Sequence, residues 1–239
     1  MVPVPVFDIL EIIPHPYFEW KQSGIPINGN QEDNLCIQAF RMVQSRYNTG
    51  NVYMHLRKQI PFGAGLGGGS ADAAFVIKGM NELFQLQLSV AEQKELAGEL
   101  GSDCPLFIEH TAQLATGRGE QLETVSLSLK GFHLVIVKPP IHINTAQAYS
   151  GVRISGDKGK LKDQIRLPVS EWKHCIKNDF EQHSFTVYPQ LKSIKQTLYD
   201  HGAVYASMSG SGSAIYGIFT EAPSGIDIDG CDLFHLPIA

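Results

Sequence analysis

The sequence predicts a globular protein of mixed α and β structure, arranged as one or two compact lobes. Its 239 residues lie near the length at which one domain gives way to two. With 43% hydrophobic and 18% charged residues, the chain can bury about 70% of the surface that it exposes when unfolded. Segments with period-two alternation and segments with helical periodicity both occur, which indicates strands as well as helices.

The net charge and the cysteines exclude several classes of function. A net charge of -5 gives no general electrostatic reason to bind nucleic acid, whose phosphates attract clustered Lys and Arg. The four cysteines form no C-x-x-C pair, which argues against a zinc site or a redox dithiol and fits a reducing cytosol. No signal peptide is recognisable, and no apolar run approaches about 18 residues. We therefore expect a cytoplasmic protein with no nucleic-acid or membrane partner.

The first part of the chain predicts a strand, a helix and a second strand. The pattern from Val4 to Ile13 is strand-like. Asp33 or Asn34 then caps a short helix with an apolar stripe formed by Leu35, Ala39, Met42 and Val43. Alternation from Val52 to Leu56 predicts a half-buried strand that ends before Pro61.

Further elements follow a glycine-rich segment. A helix is predicted from about Ser70, and a capping box at Ser89 opens another that closes at Gly101. A buried strand is expected over 132–138, and the stretch from Arg153 to Lys162 reads as a surface loop. The last third predicts a helix through Leu191, Ile194 and Leu198, a glycine-serine loop, and a strand from Ile215 to Phe219.

The glycine-rich segment Gly63-Ala-Gly-Leu-Gly-Gly-Gly-Ser70 is the strongest functional signal. Glycines let the backbone approach a ligand closely, and the following helix adds the positive end of its dipole. Phosphate binding is therefore the natural interpretation, although a tight connection alone would also use glycines.

Two common kinds of phosphate loop do not fit this segment. Gly63, Gly65 and Gly68 satisfy G-x-G-x-x-G, but the dinucleotide fold also requires a buried parallel strand before the loop and a strand after the helix. The segment is not a Walker loop either, because Gly69 occupies the position of the required lysine.

The loop as a whole, Pro61-Phe-Gly-Ala-Gly-Leu-Gly-Gly-Gly-Ser-Ala-Asp-Ala-Ala74, resembles the ATP-binding motif of the GHMP kinases. Within that superfamily, the chain is similar to the 4-diphosphocytidyl-2-C-methyl-D-erythritol kinases over nearly its whole length. This similarity is carried by the loop and by Gly101-Ser-Asp-Cys-Pro-Leu-Phe107, Asn178-Asp-Phe-Glu181 and Ser207-Met-Ser-Gly-Ser-Gly-Ser213.

The resemblance implies a fold and a reaction. The fold is a two-lobed α+β GHMP kinase with the active site in a cleft between lobes, an ATP-binding domain over 1–125 and a C-terminal domain over 126–239. The reaction is transfer of the γ-phosphoryl group of ATP, accompanied by magnesium, to a hydroxyl of a small-molecule substrate of the non-mevalonate isoprenoid route. The alternatives are another GHMP kinase, acting on homoserine, mevalonate or a sugar, and a nucleotide-binding relative without catalysis.

The resemblance also implies site residues. Asp103 matches the catalytic aspartate that accepts or orients the hydroxyl proton, although an Asp before Pro105 also suits an N-cap or turn. Ser70 could reach a phosphate or magnesium, or merely cap the helix. The implied ATP-binding residues are Pro61, Gly63, Ala64, Gly65, Leu66, Gly67, Gly68, Gly69, Ser70 and Ala71.

Two further segments complete the implied site. Thr145 borders the active site and Tyr149 stacks on cytosine, although a tyrosine can equally pack into the core. Ser209, Gly210 and Gly212 resemble the loop that supports the phosphate loop, with a plain turn as the alternative. Asp72 complements the dipole of the helix and has no implied chemistry.

The beginning of the chain departs from the family pattern. Kinases of this family begin with a strand whose lysine lies beside the catalytic aspartate, followed by a Gly-Tyr-His segment that binds the substrate. This sequence joins the pattern at about Val2. We therefore expect the first strand to be missing and phosphoryl transfer to be weak in the absence of that cation.

Overall fold

A computed structural model describes residues 1–27, 29–117, 119, 121–152 and 161–238, and the backbone alone at 145. The surface loop predicted from Arg153 lies outside these residues up to position 160. Two compact units are present: Met1–Phe62 with Gly67–Ser126, and Gly63–Leu66 with Leu127–Ala239. The first part of the glycine-rich loop is thus grouped with the second unit. The division into domains 1–125 and 126–239 stays a prediction.

The first unit contains a three-stranded sheet. Strands β1 (Ile9–Pro14) and β2 (Glu19–Gly24) flank β3 (Val52–Lys58), β1 antiparallel to it and β2 parallel. The β3 prediction is confirmed, whereas the strand predicted from Val4 to Ile13 is present as β1 only from Ile9 onward. β2 was not predicted, because its sequence does not alternate and its pairing with β3 is a tertiary contact.

Three helices pack with this sheet. They are α1 (Leu35–Tyr47), α2 (Gly68–Leu83) and α3 (Val90–Leu100). Asn34 caps α1 by accepting from the Cys36 amide at 2.9 Å, and the predicted capping box at Ser89 is present. Shorter elements complete the unit: 3₁₀ helices Gln31–Asp33 and Cys104–Phe107, and the hairpin β4 (Gln113–Thr116) and β5 (Gln121–Thr124).

Helix α2 begins two residues earlier than predicted. Its N-cap is Gly67, which has φ 70° and offers no side-chain cap, so the usual Ser, Thr, Asp or Asn signal is absent. Ser70 is the third helical residue, and the alternative that Ser70 is the N-cap is wrong.

The second unit is a four-stranded antiparallel sheet with helices. The strands, in spatial order, are β7 (Tyr205–Met208), β8 (Ile215–Phe219), β6 (His133–Lys138) and β9 (Asp232–Pro237). The helices are α4 (Thr145–Ser150), α5 (Leu161–Gln164), α6 (Val169–Cys175), α7 (Phe180–Val187) and α8 (Pro189–Asp200). The predictions of β6, β8 and α8 are confirmed. Among the described residues, no helix is long and apolar enough to cross a membrane.

Candidate active site

The glycine-rich loop connects β3 to α2, and its first half lies against the second glycine-serine loop. Gly65 has φ 73°, and a Cβ there would lie 2.1 Å from the carbonyl oxygen of Ser209. Only glycine permits both this conformation and this approach. Gly210 also contacts the loop, since a Cβ at Gly210 would lie 3.2 Å from the Gly65 oxygen. The structure thus brings Ser209 and Gly210, two of the predicted supporting residues, to the glycine-rich loop.

Two carbonyl groups of the first half of the loop are held by this contact. The Ala64 oxygen accepts from the Ala214 amide at 3.0 Å, and the Gly65 oxygen accepts from Ser209 Oγ at 2.8 Å. Because a trans peptide is planar, the N–H groups of Gly65 and Leu66 point the opposite way. Within the described part of the chain, neither N–H has a hydrogen-bond acceptor. Both are available to a ligand.

The second half of the loop is the N-terminus of α2. No side chain caps this end, so the amides of the first turn are free of side-chain acceptors and carry the positive end of the helix dipole. Outside its chain neighbours and the backbone of α2, no heavy atom of the described residues lies within 4 Å of the place where a Cβ of Gly69 would stand. The backbone there is open to close approach.

Asp103 lies in the same unit as this helix start. It lies in a turn and occupies the N-cap position of the 3₁₀ helix Cys104–Phe107, as the alternative interpretation predicted, but its side chain makes no capping hydrogen bond. The carboxylate is exposed, and among the described residues it has no hydrogen-bond or ion-pair partner. Next to it, burial raises the pKa of the Cys104 thiol, and a hydrogen bond with Ser70 opposes this shift. The Ser70 contact ties the turn that carries Asp103 to the first turn of α2.

A buried ion cluster, which the sequence analysis missed, lies at the two ends of the loop. Lys58, the last residue of β3, donates from Nζ to Asp72 Oδ2 at 2.7 Å and to Asp8. The three side chains are 1%, 7% and 4% exposed, respectively. Burial raises the pKa of Asp72 to about 7, against the attraction of Lys58. The interpretation of Asp72 as a helix-dipole residue is therefore incomplete, because it pairs with a buried lysine.

A signal for this cluster was present in the sequence. Val52, Met54 and Leu56 alternate onto the buried face of β3, and Lys58 is the next residue on that face. A lysine on a buried face requires a carboxylate partner, because an unpaired buried charge is costly.

The predicted substrate segment begins α4. Asn144 caps this helix by accepting from the amides of Ala146 and Gln147 at 2.9 and 3.2 Å. The side chain of Thr145 lies outside the described part of the structure. Tyr149 is 64% exposed and touches Phe180 edge-on, with ring centroids 5.0 Å apart. The alternative that Tyr149 packs into the core is therefore wrong, and its ring is accessible to a ligand.

A cavity of about 360 Å³ lies in the second unit. Its lining includes Lys173, Lys177, Asn178, Glu181 and Tyr205, none of which was predicted to bind ATP or substrate. Across the described ranges, no cluster of three or more His, Cys, Asp or Glu side chains could hold a metal ion.

Family models match both units. The GHMP kinases N terminal domain matches residues 34–110, and the GHMP kinases C terminal domain matches residues 168–227. The first match includes the glycine-rich loop and Asp103, and the second includes the glycine-serine loop. The fold and these matches place the chain in the class of the GHMP kinases.

Individual relatives identify the family within this class. The 4-diphosphocytidyl-2-C-methyl-D-erythritol kinase of Parabacteroides distasonis is 48% identical over 219 residues, which are 92% of this chain and 81% of that protein. The kinase of the same name from Bacteroides fragilis is 45% identical over 222 residues, 91% of this chain and 81% of that protein. This chain belongs to the family of the 4-diphosphocytidyl-2-C-methyl-D-erythritol kinases.

Solved structures agree with the fold. A crystal structure of 4-(cytidine 5'-diphospho)-2C-methyl-D-erythritol kinase superposes with a TM-score of 0.74 at 28% identity, covering 88% of this chain and 76% of that one. A homoserine kinase from Cytophaga hutchinsonii gives a TM-score of 0.73 at 16% identity, covering 97% and 85%, and supports the fold alone.

Proposed function

We propose that the protein transfers the γ-phosphoryl group of ATP to a hydroxyl of 4-diphosphocytidyl-2-C-methyl-D-erythritol, a step of the non-mevalonate isoprenoid route. The observation that carries this proposal is the glycine-rich loop, whose Gly65 and Leu66 amides have no acceptor among the described residues. The acceptor alcohol follows from family membership, since relatives at 45–48% identity bear this kinase name. The reaction breaks the bond between the β,γ-bridging oxygen and the γ-phosphorus of ATP, forms a phosphate ester on the alcohol and releases ADP.

The loop is proposed to bind the phosphates of ATP through its backbone. The amides of Gly65 and Leu66 and those at the start of α2 would donate to phosphate oxygens, and the dipole of α2 favours their negative charge. Pro61 and Gly63 lead the chain into this cradle, and the residues from Ala64 to Ala71 form it.

Magnesium is proposed to accompany ATP. Mg²⁺ usually keeps several waters and takes one or two protein oxygens besides substrate phosphates, so a dedicated cluster of carboxylates is not required. The Ser70 hydroxyl at the helix start offers an oxygen of the right kind. When bound, the metal would neutralise charge on the phosphates.

Asp103 is proposed to act on the attacking hydroxyl. Its exposed carboxylate is not engaged in capping, so it can accept a hydrogen bond from the alcohol and take its proton as the new ester bond forms. Tyr149 is proposed to stack on the cytosine ring of the acceptor, and Thr145 to border the same site.

The test is to offer the purified protein three alcohols with ATP and magnesium: 4-diphosphocytidyl-2-C-methyl-D-erythritol, homoserine and mevalonate. ADP release with the first alone is the expected result. Release with another alcohol would indicate a different GHMP kinase, and ATP binding without release would favour a nucleotide-binding relative. We further propose that the protein works in the cytoplasm on this small molecule, without nucleic acid or membrane.

A further inference from the structure

Asn178 engages every hydrogen-bonding group of its side chain. Nδ2 donates to the carbonyl oxygens of Met208 and Gly210, both at 2.8 Å, and Oδ1 accepts from the Phe180 amide at 2.9 Å. A side-chain amide has two donor hydrogens and one carbonyl, so this set of partners fixes its orientation. Met208 and Gly210 are the neighbours of Ser209 in the glycine-serine loop, and Asn178 therefore holds the loop on both sides of Ser209.

Glu181 holds the same loop from the following helix. Its Oε1 accepts from the Met208 amide at 2.8 Å and from Ser207 Oγ at 3.1 Å, and its Oε2 accepts from Lys195 Nζ at 2.6 Å. The side chain is 12% exposed, so these bonds are largely shielded from water. Both backbone groups of Met208 are thus bonded to the segment 178–181.

Ser209 connects the glycine-serine loop to the glycine-rich loop. Its hydroxyl binds the Gly65 carbonyl, and the planar peptide then directs the Leu66 N–H away from the glycine-serine loop. A shift of Met208 or Gly210 would move Ser209, and the Gly65–Leu66 peptide would lose the bond that sets its orientation.

We propose that Asn178 and Glu181 are positioning residues for ATP: they fix Ser209, which orients the Gly65–Leu66 peptide toward the phosphates. This proposal rests on the proposed ATP binding of the loop. Neither side chain is proposed to contact the substrate. Their effect is transmitted through Met208, Ser209 and Gly210.

The substitution N178D separates this role from a merely structural one. Aspartate keeps the acceptor for the Phe180 amide at the start of α7, loses both donors, and sets a carboxylate against two carbonyl oxygens. The matched control is N34D, which makes the same change at the start of α1, where the asparagine oxygen accepts from the Cys36 amide. For Glu181, E181A removes the acceptor of the Met208 amide, and E181Q keeps it.

Two readouts are measured on the full chain. The first is steady-state kinetics, in which N178D and E181A should raise KM for ATP by about tenfold or more, equivalent to about 1.4 kcal/mol. KM for the acceptor alcohol should stay within about twofold in both variants. E181Q keeps the acceptor of the Met208 amide but turns an NH2 group toward Lys195, so it should raise KM for ATP less than E181A does, and N34D should resemble the parent. The second is the ¹⁵N resonances of the Gly65 and Leu66 amides without nucleotide, which should move in N178D and E181A but not in N34D.

The outcomes distinguish the two proposals. Unmoved resonances in N178D and E181A, or equal increases in KM for ATP and alcohol, would overturn the positioning role. Moved resonances in a protein whose parent form does not bind ATP would overturn the proposed function and leave the connection between the loops in place.

Discussion

Lys58 and Asp72 form a buried ion pair, 2.7 Å between Nζ and Oδ2, across the two ends of the glycine-rich loop. One side chain ends β3 and the other lies in α2, so the pair joins the residues that precede and follow the loop. Asp8 binds the same ammonium group and also accepts from the Ile60 amide at 2.9 Å. The two ends of the loop are therefore held together by an ion pair as well as by β3 and α2.

Replacing Lys58 by methionine should destabilise the first unit by about 3–5 kcal/mol, because two buried carboxylates lose their cation. The control is K94M, which breaks the partly exposed pair with Glu109 and should cost about 0–1 kcal/mol. Urea unfolding in a W172F background, where Trp20 of β2 is the single tryptophan, measures this unit. Equal losses in the two variants would contradict the prediction.

Asp72 should make stability depend on pH. Its folded-state pKa is about 7 because of burial, against the usual 3.8, so between these pH values the folded protein keeps a proton that the unfolded chain has lost. Stability of the parent should therefore fall as pH rises from about 4 to about 7, and level off above.

The substitution D72N removes this titration, and its unfolding free energy should decline less over the same pH window. The exposed site Asp163 provides the control, since its side chain is 83% exposed and D163N should follow the parent curve. Parallel curves for D72N and the parent would show that Asp72 does not titrate in this window.

Much of the fold could be predicted because periodicity reports burial within one element. The alternation of β3 predicted which of its residues are buried, and the structure places them there. Of the predicted stripe of α1, Ala39 and Val43 are buried, whereas Leu35 and Met42 are only half-buried. The start of α2 was misplaced because its N-cap Gly67 carries no side-chain signal. β2 was missed because its position depends on its partner strand.

Only part of the candidate site could be predicted, for a similar reason. The glycine-rich loop and Asp103 lie in contiguous motifs that a single sequence displays. The partners of Asn178 lie 30 and 32 residues away along the chain, and nothing local in the sequence specifies that contact. Lys58 is an intermediate case. Its position on the buried face of β3 indicates that it pairs with a carboxylate, but the local sequence does not specify which one.

Asp103→Asn should lower kcat while ATP affinity stays near that of the parent. The amide removes the proton acceptor but keeps the shape of the side chain, and general-base catalysis contributes roughly 10²–10⁴-fold. The control D33N changes an aspartate of the 3₁₀ helix Gln31–Asp33 and should leave the rate unchanged. Full activity of D103N would remove Asp103 from the reaction.

Tyr149→Ala should raise KM for the acceptor alcohol, and Tyr149→Phe should not. The ring is exposed, and loss of a base–aromatic stack costs about 1–3 kcal/mol, or roughly 5- to 150-fold in affinity. KM for ATP should stay constant in both variants. A ring that served only to contact Phe180 would leave both KM values unchanged in Y149A and lower the melting temperature instead.

Gly69→Ala should weaken ATP binding without destabilising the protein. Among the described residues, leaving aside its chain neighbours and the backbone of α2, no heavy atom lies within 4 Å of a Cβ at Gly69. Alanine is favoured over glycine inside a helix by up to about 1 kcal/mol. The fold therefore does not require glycine at position 69. A phosphate that approaches the amide of this first-turn residue would require it, because a Cβ would obstruct the approach.

The control is G98A in α3, where the nearest atom to the new Cβ, Pro105 Cγ, lies at 3.8 Å. Both variants should melt at or above the parent temperature, and calorimetry should show weaker ATP binding in G69A alone. Unchanged ATP affinity in G69A would mean that the ligand does not approach the backbone at this residue.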